Sequence, residues 1–175
     1  MSKHTPYQTN TLSSARPLRL TWVSGVVSLA TVLGIAVVVF AGRSAETARQ
    51  SVIDVYKDPA CGCCSLWVKH LQEQGFTVRT TDTRDLAALK TRNGVPRKMQ
   101  SCHTALVDGY VIEGHVPAAD VQRLLRDRPA IAGLAVAGMP IGSPGMEIDG
   151  SDVQPYDVMA FDTNGSAFVF ASHGR

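Results

Sequence analysis

The sequence predicts an α/β fold, a mixed central sheet flanked by helices, and three observations carry the prediction. Short apolar runs alternate with segments of helical period between residues 52 and 127. Two of the apolar runs are joined by Asp108-Gly109, a strong hairpin signal. A cysteine-rich stretch, Cys61-Gly62-Cys63-Cys64, lies where the first strand candidate gives way to the first helix candidate. Two additions flank this core: a Gly/Pro/Met-rich C-terminal extension with a terminal hairpin, and one N-terminal transmembrane helix.

The N-terminal additions come first. Residues 1–19 are polar and carry Lys3, Arg16 and Arg19 with no acid, as a cytoplasmic N-terminal tail would. Residues 20–42 contain no charge. At 1.5 Å per residue such a helix is roughly 35 Å long, enough to cross a bilayer. Positive charge before the span and mixed charge after it (Arg43, Glu46, Arg49) favour an N-terminus inside. The expected location is therefore the inner membrane, single-pass, with a periplasmic domain. The rival is a cleaved signal peptide, with Val39-Phe40-Ala41 as a tolerable cleavage region, which would leave a soluble periplasmic protein. Both readings put the cysteines outside the cytosol. Residues 43–51 form a polar linker, and residues 52–171 form the folded domain.

Within that domain Val52 to Tyr56 reads as a buried strand and residues 64–74 as a helix closed by Gly75. Cys64, Trp67, Val68 and Leu71 recur at i, i+3, i+4 and i+7, which makes one apolar face and turns Cys64 toward the core. Residues 76–80 form the next strand. Asp82 is a candidate cap for a helix over 83–92 that Asn93-Gly94 ends. Residues 95–103 read as a loop, 104–107 and 110–113 as the hairpin, and 117–127 as a helix beginning at Pro117. This order, β-α-β-α-β-β-α with cysteines between the first strand and helix, is that of a thioredoxin-like domain. Residues 131–149 lack periodicity, and 156–161 with 167–170, joined around Asn164-Gly165, predict the last hairpin.

The chain has 175 residues, enough for one domain with extensions, and a net charge of +2. The basic residues are scattered without aromatic interleaving, so no nucleic-acid partner is expected. No nucleophile elbow, phosphate loop or paired carboxylates stand out. The chemistry lies in the thiols. Three of the four cysteines fall within four residues, and the fourth is Cys102. A helix N-terminus offers free N–H groups and partial positive charge, both of which favour the thiolate. Cys61 and Cys64 are the candidate catalytic dithiol. A plain redox site needs only those two, so the third sulfur of Cys63 points to metal. Thiolates select Cu(I), zinc or iron–sulfur centres. Zinc prefers spaced corners, whereas crowded sulfurs suit Cu(I), which accepts two or three thiolates and lets them bridge several ions. A structural disulfide with a spare thiol is the plainer alternative. His103, beside Cys102, is a candidate ligand. Met139 and Met146 are soft thioethers in a loop, where methionine also serves as a plug. His115 reads as structural, His70 and His173 as solvated, and Met99 and Met159 as packing residues.

Four blocks of sequence then resemble a family. Tyr56-Lys57-x-Pro59-x-Cys61-Gly62-Cys63-Cys64-x-x-Trp67, Ser101-Cys102-His103-Thr104-Ala105, Gly109-Tyr110-x-Ile112-Glu113-Gly114-His115-Val116-Pro117 and Gly138-Met139-Pro140-x-Gly142-Ser143-Pro144-Gly145-Met146-Glu147 are similar to those of the CopG-type copper-resistance proteins, the domain-of-unknown-function 411 family. The similarity spans about residues 52–171. It implies an exported thioredoxin-like protein of copper or silver tolerance that binds Cu(I) as a multinuclear copper–thiolate cluster, and it implies a redox role for copper or thiol. By position Cys61, Cys63, Cys64 and Cys102 carry over as ligands, with His103, His115, Met139 and Met146 as motif positions. The long N-terminal span departs from a free soluble state, and Ala137 stands where the family often has proline.

The expectation is therefore a membrane-tethered Cu(I)-binding protein of copper homeostasis, meeting copper ions and exported copper-handling proteins. Whether it also turns over as an enzyme stays open. A periplasmic dithiol–disulfide oxidoreductase competes, although the third cysteine and the lack of a proline directly before residue 104 count against it. An iron–sulfur protein and a zinc-stabilised module are the further alternatives.

Overall fold

A computed structural model describes residues 51–175. The expected cytoplasmic tail, the span over residues 20–42 and most of the linker lie outside the described residues. Among the described residues, no helix is long and apolar enough to cross a membrane.

The elements are β1 (Val52–Lys57), α1 (Gly62–Glu73), β2 (Thr77–Asp82), α2 (Leu86–Arg92), a 3-10 turn (Arg97–Met99), β3 (His103–Val107), β4 (Tyr110–Glu113), α3 (Ala118–Asp127), β5 (Gly133–Ala135), β6 (Tyr156–Phe161) and β7 (Ala167–His173). The strands form one seven-stranded sheet in the order β2-β1-β3-β4-β5-β6-β7. β1 runs parallel to β2 and antiparallel to β3, and β4 runs parallel to β5. The β3–β4, β5–β6 and β6–β7 pairs are antiparallel. The α/β class and the element order through α3 match the sequence expectation.

The sheet has two covered faces, and side-chain alternation assigns them. Ile53, Val55, Ala105, Val107, Ile112 and Leu134 pack with Trp67, Val68 and Leu71 of α1 and Val121 and Leu124 of α3. The opposite parity, Val111, Ala135 and Phe161, packs with Val95 and Met99 from the segment after α2. The predicted stripe of α1 is fully borne out, since Cys64, Trp67, Val68 and Leu71 are all buried. Asp108 and Gly109 both have positive φ (48° and 87°), which closes β3 and β4 with the tight turn their sequence predicts.

Several local expectations need correction. Asp82 does not cap α2. It ends β2 and pairs with Lys57 at 2.9 Å, and the cap position is Asp85. Helix α1 begins at Gly62, two residues early, because Cys61 is its cap. Pro117 is the cap of α3 rather than its first residue. His103 starts β3 instead of ending a loop. The stretch 131–149 holds one strand, β5, that periodicity could not announce. It has three residues, all buried, and Gly133 lies so close to Val111 that a Cβ would fall 2.0 Å from the Val111 carbonyl oxygen.

Candidate metal centre

The first wall of the site is the start of α1. The Asp58 side chain accepts the Ala60 amide at 2.8 Å, and the Asp58 carbonyl accepts the Cys61 amide at 3.0 Å, which turns the chain from β1 into the helix. Cys61 caps α1, and its sulfur accepts the Cys64 amide at 3.3 Å. Cys61 and Cys64 form a disulfide with Cα atoms 5.4 Å apart. Cys63 is a free thiol, half-buried, with its sulfur 3.6 Å from that of Cys61.

The second wall is the chain around Cys102, also a free, half-buried thiol. Its sulfur lies 3.1 Å from His115 Nε2 and 3.3 Å from His103 Nδ1. His115 Nδ1 sits 2.8 Å from the Pro144 carbonyl oxygen, a group that only accepts. The proton of neutral His115 is therefore on Nδ1, and the lone pair of Nε2 faces Cys102, as a ligating imidazole requires. His103 is fully buried, packed against Trp67 with centroids 4.3 Å apart and ring planes tilted by 39°, and edge-on to His115 at 5.0 Å. Its Nε2 has no hydrogen-bond partner. Trp67 is fixed in turn by its indole N–H, which donates to the Val116 carbonyl at 2.8 Å.

A strap over residues 137–147 closes the site. Gly145 has φ +84°, and a Cβ there would fall 2.7 Å from the Trp67 amide nitrogen and 2.8 Å from the Cys63 carbonyl oxygen. Only glycine lets the strap lie this close to the helix start. The Gly145 amide donates to Glu147 at 2.7 Å, and the Ser101 hydroxyl donates to the Gly138 carbonyl, tying strap to Cys102 loop. Met139, half exposed, brings its sulfur within 3.9 Å of Cys63. Met146 serves the strap through its backbone: its amide donates to Ser143 at 2.8 Å and its carbonyl accepts from Gly142 at 3.0 Å.

The electrostatics favour neutral donors. Burial, and then the nearby Cys63 charge, pushes the Cys102 thiol up to about 12. Burial holds His103 well below the ordinary histidine value, helped by His115 and the Lys90 charge. Burial also lowers His115, against opposing pulls from the Pro144 carbonyl and Glu147. A proton on any of these groups competes with a metal ion, so uptake at Cys102 must expel one.

The sulfurs of Cys61, Cys63, Cys64 and Cys102 lie within 4.8 Å of one another, and so do the donor atoms of Cys102, His103 and His115. Cys102 belongs to both groups, so the two walls form one continuous set of soft donors. This composition fits copper bound through sulfur and imidazole. The structure thus gathers Cys61, Cys63, Cys64, Cys102, His103 and Met139, and does not show the Met146 sulfur among them. It adds His115, which its sequence position before a helix made look structural. The spacing Cys102…His115 across a two-residue hairpin was the available signal, because hairpin-paired strands return the chain to its start. His70 and His173 are not solvated as expected. His70 Nε2 accepts the Ala118 amide at 3.2 Å, and His173 pairs with Asp120 at 2.6 Å.

The chain is similar to known proteins over this same region. A family model described as "Protein of unknown function, DUF411" matches residues 99–146. A solved structure named "Copper resistance protein copG- Form 2" is 46% identical, covering 71% of this chain and 99% of that one, with a TM-score of 0.68. A second, "Copper resistance protein copG- Form 1", is 48% identical over 70% of this chain and 96% of that one, with a TM-score of 0.66. No curated protein matches the chain. The extent and identity of the match to these two structures settle the kinship: the chain belongs to the CopG-like copper-resistance family.

Proposed function

We propose that this protein is an exported, thioredoxin-like Cu(I) carrier of copper or silver homeostasis, holding several copper ions per chain. The observation that carries the reading is the approach of four cysteine sulfurs to within 4.8 Å of one another, with two imidazoles behind them. Thiolates of Cys61, Cys63, Cys64 and Cys102 bind the metal, with His103 and His115 completing the inner wall. Met139, half exposed beside Cys63, exchanges copper with exported copper-handling proteins. Met146 is a reserve thioether of the same strap. The segment over residues 20–42 tethers the domain to the inner membrane, facing the periplasm. Family membership and the name of the two relatives support the copper assignment.

The same site supports a redox half. Two thiolates, Cys61 and Cys64, give one electron to each of two Cu(II) ions, forming the disulfide and two Cu(I). The disulfide present here stands for that oxidised form. It also favours one second reading, a dithiol–disulfide oxidoreductase that acts on other exported proteins.

The test is anaerobic Cu(I) loading of reduced protein, with metal per chain measured beside Cys61→Ser, Cys63→Ser, Cys64→Ser and Cys102→Ser. The reading predicts tight binding of more than one ion, lowered by each substitution. Full copper retention without Cys63 and Cys102, together with metal-free reduction of insulin disulfides, replaces it with the oxidoreductase.

A further inference from the structure

A buried ion pair lies on the sheet face opposite Trp67, yet it reaches the Cys102 loop. Lys90 of α2 is nearly buried and Glu113 of β4 fully so, and their charged atoms are 2.6 Å apart. Lys90 also donates to the Thr104 hydroxyl at 2.9 Å, and that hydroxyl donates to Glu113 Oε2 at 2.7 Å. One further bond leaves the cluster. The backbone N–H of Ser101 donates to Glu113 Oε1 at 2.6 Å.

Such a pair is a poor source of stability, because the cost of dehydrating two charges roughly offsets their attraction. Its value here is directional. Glu113 Oε1 accepts from Lys90 and from Ser101 together, so the lysine orients the carboxylate and the carboxylate holds the amide that precedes Cys102. The other arm of the site starts from the same residue. Gly114 follows Glu113, donates its amide to the His103 carbonyl at 3.1 Å, and leads directly into His115. A Cβ on Gly114 would fall 2.6 Å from the Ser101 side chain, so the two arms touch at this point. Cys102 and His115 are thus each fixed to one side of Glu113.

We propose that Glu113, oriented by Lys90, is the positioning residue of the Cys102–His103–His115 corner: its carboxylate anchors the Ser101 amide and thereby sets the Cys102 sulfur against the His115 ring. The consequence for copper rests on the function proposed above. The geometric claim does not, and it is tested on metal-free protein.

Two charge-neutral double variants separate anchoring from stability. Lys90→Met with Glu113→Gln keeps an acceptor for Ser101, and Lys90→Met with Glu113→Leu removes it. In reduced full-length protein, iodoacetamide modification of Cys102 is followed by peptide mass spectrometry, with Cys63 as internal reference. The leucine pair is expected to raise the Cys102 rate about tenfold or more, the effect of losing a hydrogen bond to a charged group, while the glutamine pair stays within about threefold of wild type. Equal Cys102 rates in the two pairs, or an equal rise at Cys63, overturn the proposal. Hydrogen exchange of wild-type protein decides independently of variant folding: the Ser101 amide must be protected, and free exchange overturns the proposal. Cu(I) loading then separates the two claims. Wild type that binds no copper refutes the proposed function, while the alkylation contrast still judges the anchor.

Discussion

The two walls of the candidate metal centre are built in opposite ways. The α1 wall is local: Cys61, Cys63 and Cys64 occupy one helix start, oriented by the Asp58 turn and by bonds no more than four residues long. The Cys102 wall is assembled from distance. His103 leans on Trp67 of α1, His115 is oriented by Pro144 of the strap, and Ser101 is held by Glu113. The difference teaches that reactive sulfur is cheap to place at a helix terminus, whereas a buried Cys–His–His corner needs three segments to agree. The assembled wall holds its donors through contacts between segments far apart in the chain.

The sharpest way to break this contrast is to remove one thiol from each wall. Cys102→Ser is expected to abolish tight Cu(I) loading, because Cys102 joins the sulfur group to the imidazole group. Cys63→Ser is expected to lower capacity and leave residual binding at the imidazole side. His115→Gln should weaken affinity by about 10–100-fold. Competition with a Cu(I) chelator measures all three, and wild-type affinity in Cys102→Ser would dissolve the two-wall description.

Gly145 joins the walls, so it comes next in size. Gly145→Ala forces a Cβ against the Trp67 amide and the Cys63 carbonyl at a φ of +84°. A loss of about 1–3 kcal/mol is expected, read as a lower urea midpoint, and it should exceed that of Gly138→Ala, which shares the backbone strain of a positive φ (+70°) but meets nothing within 4 Å.

The walls should also differ in acid. His103, His115 and the nearby His70 are all held below the ordinary histidine value, in each case chiefly by burial. Depressed histidines contribute stability above about pH 6.5, and it is lost as pH falls, because the unfolded chain takes up protons that the folded chain refuses. For fully buried His103 the slope approaches about 1.4 kcal/mol per pH unit, and His70, nearer to water, adds less. Urea midpoints of metal-free protein at about pH 7.5 and about pH 5 check this. Asp54, held low by Arg79, acts only below the ordinary carboxylate range and so outside this window. A midpoint that is flat or rises on acidification contradicts the neutral assignment.

The smallest effect belongs to the strap's thioether. Met139→Leu leaves folding unchanged, since the side chain is half exposed, and slows or speeds only copper transfer to a chelator. A large stability change there would mean that Met139 is a plug.

What the sequence revealed divides along the same line. The α1 wall was legible because helix period, cap and cysteine spacing are all local: the stripe Cys64, Trp67, Val68, Leu71 is buried as its spacing requires. Asp108-Gly109 likewise announced its turn. His115 was read as structural because its partners, Cys102 and Pro144, are 13 and 29 residues away and pattern carries no such pairing. β5 was missed for a related reason: three buried residues have no alternation, and the strand exists only because β4 and β6 flank it. The Lys90–Glu113 pair was invisible too, since both residues look like ordinary surface charges in their helix and strand.

The central claim is that both walls hold the same copper. X-ray absorption at the copper K-edge of anaerobically loaded protein tests it most directly. The account predicts Cu(I) in a sulfur-dominated shell with an imidazole contribution and a copper–copper distance, the imidazole signal falling in His115→Gln. A shell of nitrogen and oxygen alone, or lone two-coordinate copper unchanged by removal of Cys102, would contradict it.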